Sequence, residues 1–230
     1  MNYQKNLKYF KSTDTHYYIG LPIFILGAIF FVMAYIFWTY LFWYQDFIGI
    51  ALMIIGAMVA FIPRSFRSSE KDIDDAVAEM TKDYETNTAE ELGLTSELLR
   101  EQKPLLVGTY TYEDGSLYRR GKTDRKFRSD RYTAAAILFT RHGICISEKQ
   151  FSLIDDTVTE NTHEFHYTDI DGLFIETNEH RFTNGEKTAT ANLLVKTDGK
   201  TIFSLPVTQN ATLDRTCEEI NLRIKRIKKA

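Results

Sequence analysis

Gly20 to Tyr44 reads GLPIFILGAIFFVMAYIFWTYLFWY, and no charged side chain occurs from Ile19 to Tyr44. A bilayer core needs about 20 apolar residues to be crossed by one helix. A second apolar run, FIGIALMIIGAMVAFI, covers Phe47 to Ile62. It is short, but adequate if its flanks reach out to the interface. Only Gln45 and Asp46, next to Trp43 and Tyr44, separate the runs, so the second is expected to return antiparallel to the first. Residues 17–63 therefore read as a two-helix transmembrane hairpin. Tyr17, Tyr18, Trp38, Tyr40, Trp43 and Tyr44 fall where interfacial aromatic belts lie. Lys5, Lys8 and Lys11 precede the first run, Arg64 and Arg67 follow the second, and the link has no Lys or Arg. The positive-inside rule then puts both termini in the cytoplasm, in a multi-pass protein of the inner, cytoplasmic membrane. The first run is too long for a signal-peptide core and has no small-x-small cleavage site. Gly56 and Ala60 form a small-xxx-small pair suited to helix packing in the membrane. No charge interrupts either run, so the hairpin reads as an anchor and not as an ion pathway.

Around that anchor the chain changes character. It has 230 residues and a net charge of −3. That balance points to neither a nucleic-acid nor an acidic partner. The order expected is a cytoplasmic segment over 1–16, the hairpin over 17–63, an acidic helical connector over 64–103 and a β domain over 104–230. The two cysteines, Cys145 and Cys217, make no metal motif and no disulfide framework.

The connector opens at Ser69, with Asp72 three positions on as in a capping box. Ile73, Ala76, Val77, Met80 and Tyr84 then recur at helical spacing, opposite an acidic face. A second short helix is expected over Ser96–Gln102, stopped by Pro104. After Pro104, β-branched and aromatic residues cluster between turn signals. Strands are expected at Leu105–Tyr112, Ser116–Arg120, Tyr132–Thr140, Ile144–Glu148, Gln150–Asp155, Glu164–Tyr167, Leu173–Thr177, Ala191–Thr197 and Thr201–Leu205. Asp198-Gly199, between LLVKT and KTIFSL, is the strongest hairpin signal. A last amphipathic helix, Thr212–Ile227, has Asn210 as its N-cap and Leu213, Cys217, Ile220, Ile224 and Ile227 on one face.

The rhythm of ILFTRHGICIS followed by HEFHYTDIDGLFIE resembles the pleckstrin-homology-like (PH-like) domain of bacterial membrane proteins, related to the GRAM-like group. The resemblance covers roughly Leu105 to Lys228. It implies an α+β membrane protein: hairpin, helical connector, then a PH-like antiparallel β-barrel or sandwich capped by the C-terminal helix. The acidic connector and the long basic loop depart from the group's simplest form.

The most uneven charge lies in that loop: Arg119, Arg120, Lys122, Arg125, Lys126, Arg128 and Arg131, against Asp124 and Asp130. It reads as a contact for anionic lipid or an acidic partner, or as a solvated loop; a nucleic-acid contact is the third reading, disfavoured because aromatic interleaving is limited to Phe127 and Tyr132. Arg223, Lys225, Arg226, Lys228 and Lys229 end the chain, where cations suit a helix C-terminus. His163-Glu-Phe-His166 is not a zinc motif, because strand residues three apart face opposite ways. There is no phosphate loop, nucleophile elbow or CxxC pair. No catalytic set, metal site or cofactor is expected. The function expected is a non-enzymatic membrane-anchored interaction or scaffold module, a subunit or regulator of a larger membrane assembly. Its partners would be the bilayer, a protein or a second copy, and anionic lipid, with no nucleic acid. The alternative is a ligand-gated, nucleotide-sensing effector that clusters its transmembrane hairpins.

Overall fold

A computed structural model describes residues 1–12, 15–36 and 44–229. The chain divides into two compact units, Asn2–Ile73 and Asp74–Ala230. The first holds helices α1 (Tyr3–Lys11), α2 (Thr15–Ile36) and α3 (Tyr44–Ser65). Asn2 caps α1 by accepting a bond from the Lys5 amide at 3.1 Å. Helices α2 and α3 run antiparallel, and glycines set their approach. A Cβ on Gly56 would stand 2.4 Å from the Phe24 nitrogen, and one on Gly20 2.5 Å from that of Ala60. At the other end of the pair, a Cβ on Gly27 would stand 2.6 Å from the Met53 nitrogen. The backbones touch directly, as small residues allow.

The expected pair of transmembrane spans is corrected here. Among the described residues one helix, over His16–Met33, is long and apolar enough to cross a membrane. The apolar part of α3, Phe47–Ile62, falls below that length. At 1.5 Å per residue it covers roughly 24 Å, against a hydrocarbon core of about 30 Å. Gln45 and Asp46, expected in the link, already belong to α3. Trp38, Tyr40 and Trp43 lie outside the described residues.

Helix α4 (Glu70–Thr81) carries the chain from the first unit into the second. The Ser69 amide donates to Asp72 Oδ2 at 2.7 Å, and the Asp72 amide donates back to Ser69 Oγ at 3.2 Å. The helix stops at Thr81, and Asp83 takes a left-handed conformation (φ 55°). Helix α5 (Tyr84–Glu91) follows, where the sequence suggested one continuing stripe. The expected helix over 96–102 is absent. There Leu98 bridges Thr140, and the Leu99 amide donates to the Phe139 carbonyl at 2.8 Å.

Among the described residues nine strands follow: β1 (Leu105–Tyr110), β2 (Tyr118–Arg120), β3 (Phe127–Ser129), β4 (Arg131–Phe139), β5 (Gly143–Ser152), β6 (Val158–His166), β7 (Gly172–Arg181), β8 (Lys187–Thr197) and β9 (Lys200–Val207). Helix α6 (Ala211–Ile227) closes the order. The expected barrel is also corrected. The strands form three open antiparallel sheets, ordered β1-β4-β5-β6, β2-β3 and β7-β8-β9. Among the described residues no ladder joins β6 to β7 or β1 to β9. Tyr167 and Ile170, both 1% exposed, occupy the β6–β7 turn. Just after β9, Thr208 Oγ1 donates to the Gly108 carbonyl of β1 at 2.9 Å.

Ala135, Ile137, Phe139, Ile144 and Ile146 of the four-stranded sheet face Leu193, Val195, Leu205 and Val207 of the three-stranded one. Leu213, Cys217, Ile220 and Ile224 of α6 complete this core. Helix α5 covers the opposite face of the larger sheet, where Ala89 packs on Leu138 and Cys145. That double cover explains why Ala134 to Phe139 are all buried, as in any strand shielded on both sides. Burial pushes the Cys145 and Cys217 thiols up to about 11. At the β8–β9 turn, Asp198 (φ 51°) and Gly199 (φ 71°) both take the left-handed region that a two-residue hairpin requires.

Candidate functional site: the basic hairpin and the α6 groove

The basic segment is a structured hairpin, β2 paired with β3 through Tyr118–Ser129, Arg119–Arg128 and Arg120–Phe127. It sits on an aromatic seat at the β7–β8 turn. Phe182 is buried there, stacked by Tyr118 at 4.3 Å and by Phe127 at 4.5 Å. Tyr112 meets Phe182 edge-on at 5.1 Å and stacks on His180 at 5.3 Å. Each such pair adds about 0.5–1.5 kcal/mol beyond area burial. The Tyr112 hydroxyl donates to the Phe127 carbonyl at 3.0 Å. Burial pushes that hydroxyl up to about 12.

The seven basic residues do different things. Arg128 is buried, its side chain 3% exposed. Its Nε and Nη2 donate to Asp74 Oδ1 and Oδ2 at 2.8 and 2.6 Å. Its Nη1 and Nη2 donate to Asp124 Oδ1 and Oδ2 at 3.2 and 2.8 Å. The Tyr110 hydroxyl donates to Asp74 Oδ1 at 3.0 Å. Arg128 is thereby spent inside the domain and drops out of the expected contact surface. Its hydrogen bonds hold the Asp74 carboxyl below the usual range and that of Asp124 at about 2. The same bonds raise the Arg128 guanidinium further above its ordinary value. Arg120 pairs with Glu186 at 3.1 Å and lies over the Phe127 ring at 5.3 Å. Arg131 pairs with Glu113.

The turn joining the strands is closed by the Gly121 amide on the Lys126 carbonyl (2.8 Å) and the Lys126 amide on Asp124 Oδ1 (3.0 Å). Lys122, Arg125 and Lys126 are exposed at this tip, and Arg119 is half-buried. In the first unit, Gly56 and Ala60 both face α2.

A second feature carried no sequence signal as a site. A groove of about 260 Å³ runs between α6 and the segment before β1. Leu99, Glu101 and Gln102 line one wall, and Ile220, Arg223 and Arg226 the other. Gln102 Nε2 donates to Thr216 Oγ1 at 3.4 Å, which ties the first wall to the helix. Arg223 lies over the Tyr167 ring at 5.6 Å, and its buried Nε has no hydrogen-bond partner. These two arginines had a sufficient explanation in the dipole of α6, which is why sequence alone did not separate them from the other terminal cations.

Asn221 closes off the other side of α6. Its Nδ2 donates to the Leu173 carbonyl and its Oδ1 accepts from the Leu173 amide, both at 2.7 Å. One side chain thus satisfies the edge of β7 where a further strand would pair. The chain matches no family model, no curated protein and no solved structure.

Proposed function

We propose that this chain is a non-enzymatic, membrane-anchored interaction module, in which α2 seats the protein in the cytoplasmic membrane and the β domain engages a protein partner. The PH-like resemblance is kept as part of this proposal. Its support is the succession of a four-stranded antiparallel sheet, into which the β2–β3 hairpin is inserted after β1, a three-stranded meander and a helix over the core.

The observation that carries the reading is the mounting of the basic hairpin. Aromatic stacking and the buried Arg128 fix its base, while Lys122, Arg125 and Lys126 stand exposed at its tip. A loop without such a base would lose more entropy on binding than this one does. Near an anionic leaflet each tip cation adds about 1 kcal/mol, so the same surface also serves anionic lipid.

The proposed cytoplasmic side rests on charge in the first unit, where Lys5, Lys8 and Lys11 precede α2. The Ser68 amide donates to the Lys5 carbonyl at 3.2 Å, Ser68 Oγ to Asn6 Oδ1 at 2.6 Å, and Arg67 Nη1 to Ser12 Oγ at 2.8 Å. These bonds hold the lysine-bearing α1 beside Arg67 and Ser68. Positive charge before α2 favours the cytoplasm for the N-terminal end of that helix. The nucleotide-sensing alternative draws no support from the core, which side chains of α6 fill.

The test is purification of the full chain in mild detergent followed by mass spectrometry. A recurrent co-purifying protein, lost when Arg119, Lys122, Arg125 and Lys126 are changed to Gln, supports the module. A chain that always emerges alone and monomeric refutes it.

A further inference from the structure

We infer that the groove beside α6 is a docking site for an acidic peptide segment of a partner protein, one that pairs an aspartate or glutamate with an adjacent aliphatic side chain. This rests on the interaction-module reading and names the partner's chemistry.

Arg223 and Arg226 stand three residues apart on one face of α6 and share the groove wall. Their guanidinium groups make no hydrogen bond or ion pair among the described residues. The Arg223 Nε–H is buried without an acceptor, a state most buried donors avoid. The terminal Nη groups of Arg223 and Arg226 are not buried in this way, and a carboxylate in the groove can take N–H bonds from them. The Tyr167 ring beneath Arg223 holds the guanidinium in place before any ligand arrives.

The remaining lining selects a peptide. Leu222 is 55% exposed on the helix, and Leu99 and Ile220 supply the apolar part of the groove. At about 260 Å³ it lies under the size of ordinary small-molecule sites, about 300–1,000 Å³. It suits one or two side chains and not a nucleotide. The nearby acids do not close it. Glu219 is held by Arg215 at 2.9 Å, and Glu101 lies on the opposite wall, where it can accept peptide N–H groups.

The experiment is selection of a random dodecapeptide display library on the full chain in mild detergent, with R223Q/R226Q selected in parallel. The expected result is enrichment of peptides with Asp or Glu next to Leu, Ile or Val. Their affinity, read by fluorescence anisotropy, should fall at least tenfold on R223Q/R226Q and recover only in part with R223K/R226K. An unchanged circular-dichroism melt shows that the variant is folded. If it melts early, Arg226→Gln alone, on an exposed residue, must still weaken the peptides. Acidic peptides that bind R223Q/R226Q as well as the parent sink the groove assignment and leave the module standing. Enrichment of basic or uncharged peptides also sinks it. A library that enriches nothing on the parent chain counts against both readings.

Discussion

Removing the charge at Arg128 should cost less than removing the carboxylates that surround it. The Arg128 side chain is 3% exposed, whereas those of Asp74 and Asp124 are 50% and 32% exposed. Arg128→Met takes away the buried ion and leaves two carboxylates that water can reach. Its net cost is that of the four lost hydrogen bonds less the desolvation recovered by removing a buried ion, about 1–1.5 kcal/mol. Asp74→Asn with Asp124→Asn leaves a guanidinium buried without a counter-charge, which costs about 3–5 kcal/mol. With a urea m-value near 2 kcal/mol/M, the midpoints should fall by about 0.5–0.7 M and about 1.5–2.5 M. Pulse proteolysis of the full chain in mild detergent, followed on the β-domain fragments, reads both numbers. The sign with pH follows from the same bonds. Both carboxyls are held below their ordinary value of 3.8 in the folded domain, that of Asp124 at about 2. Their contribution is complete above about pH 5 and drains away as pH falls towards 2. The gap between parent and Arg128→Met should therefore be flat from pH 5 to 8 and close below 4. If Arg128→Met destabilises as much as the double asparagine variant, the assignment of the buried charge is wrong.

Asn221→Ala should free both backbone groups of Leu173. A loss of about 1–3 kcal/mol is expected, with faster hydrogen exchange at the Leu173 amide and unchanged exchange in β4. Gly56→Ile should force α2 and α3 apart, since even a Cβ there meets the Phe24 backbone at 2.4 Å. Detergent-solubilised protein should then aggregate at a lower temperature in size-exclusion scans, whereas Ile54→Leu, on an exposed position, should not change it. Phe182→Ala should loosen the basic hairpin without unfolding the domain, read as faster exchange at Gly121 and Asp130 alone.

Parts of this molecule are plain in its residues. The Ser69–Asp72 cap, the Asp198-Gly199 turn and the Asn210 cap of α6 are local, and each appears where its chemistry places it. Most of the differences between sequence and fold come from contacts distant in sequence. Strand β3 lay hidden in a run of cations because Phe127 finds its partner in Phe182. Arg128 looked like surface charge because its counter-ion Asp74 is 54 residues away. Strand β5 was read as two because the exposed-looking EKQ at its middle masks a continuous ladder, closed by Lys149–Glu160 across β6. The second membrane span was inferred from apolar content where length was the limiting quantity. The groove depends on Leu99 meeting α6, and no local pattern encodes that meeting.

The central claim is that α2 places this protein in a lipid bilayer. Alkaline carbonate extraction of membranes from cells expressing the full chain tests it directly. The chain should remain in the pellet, and Ile25→Asp with Ile29→Asp, two exposed positions on α2, should release it. A parent chain recovered in the supernatant would contradict the account.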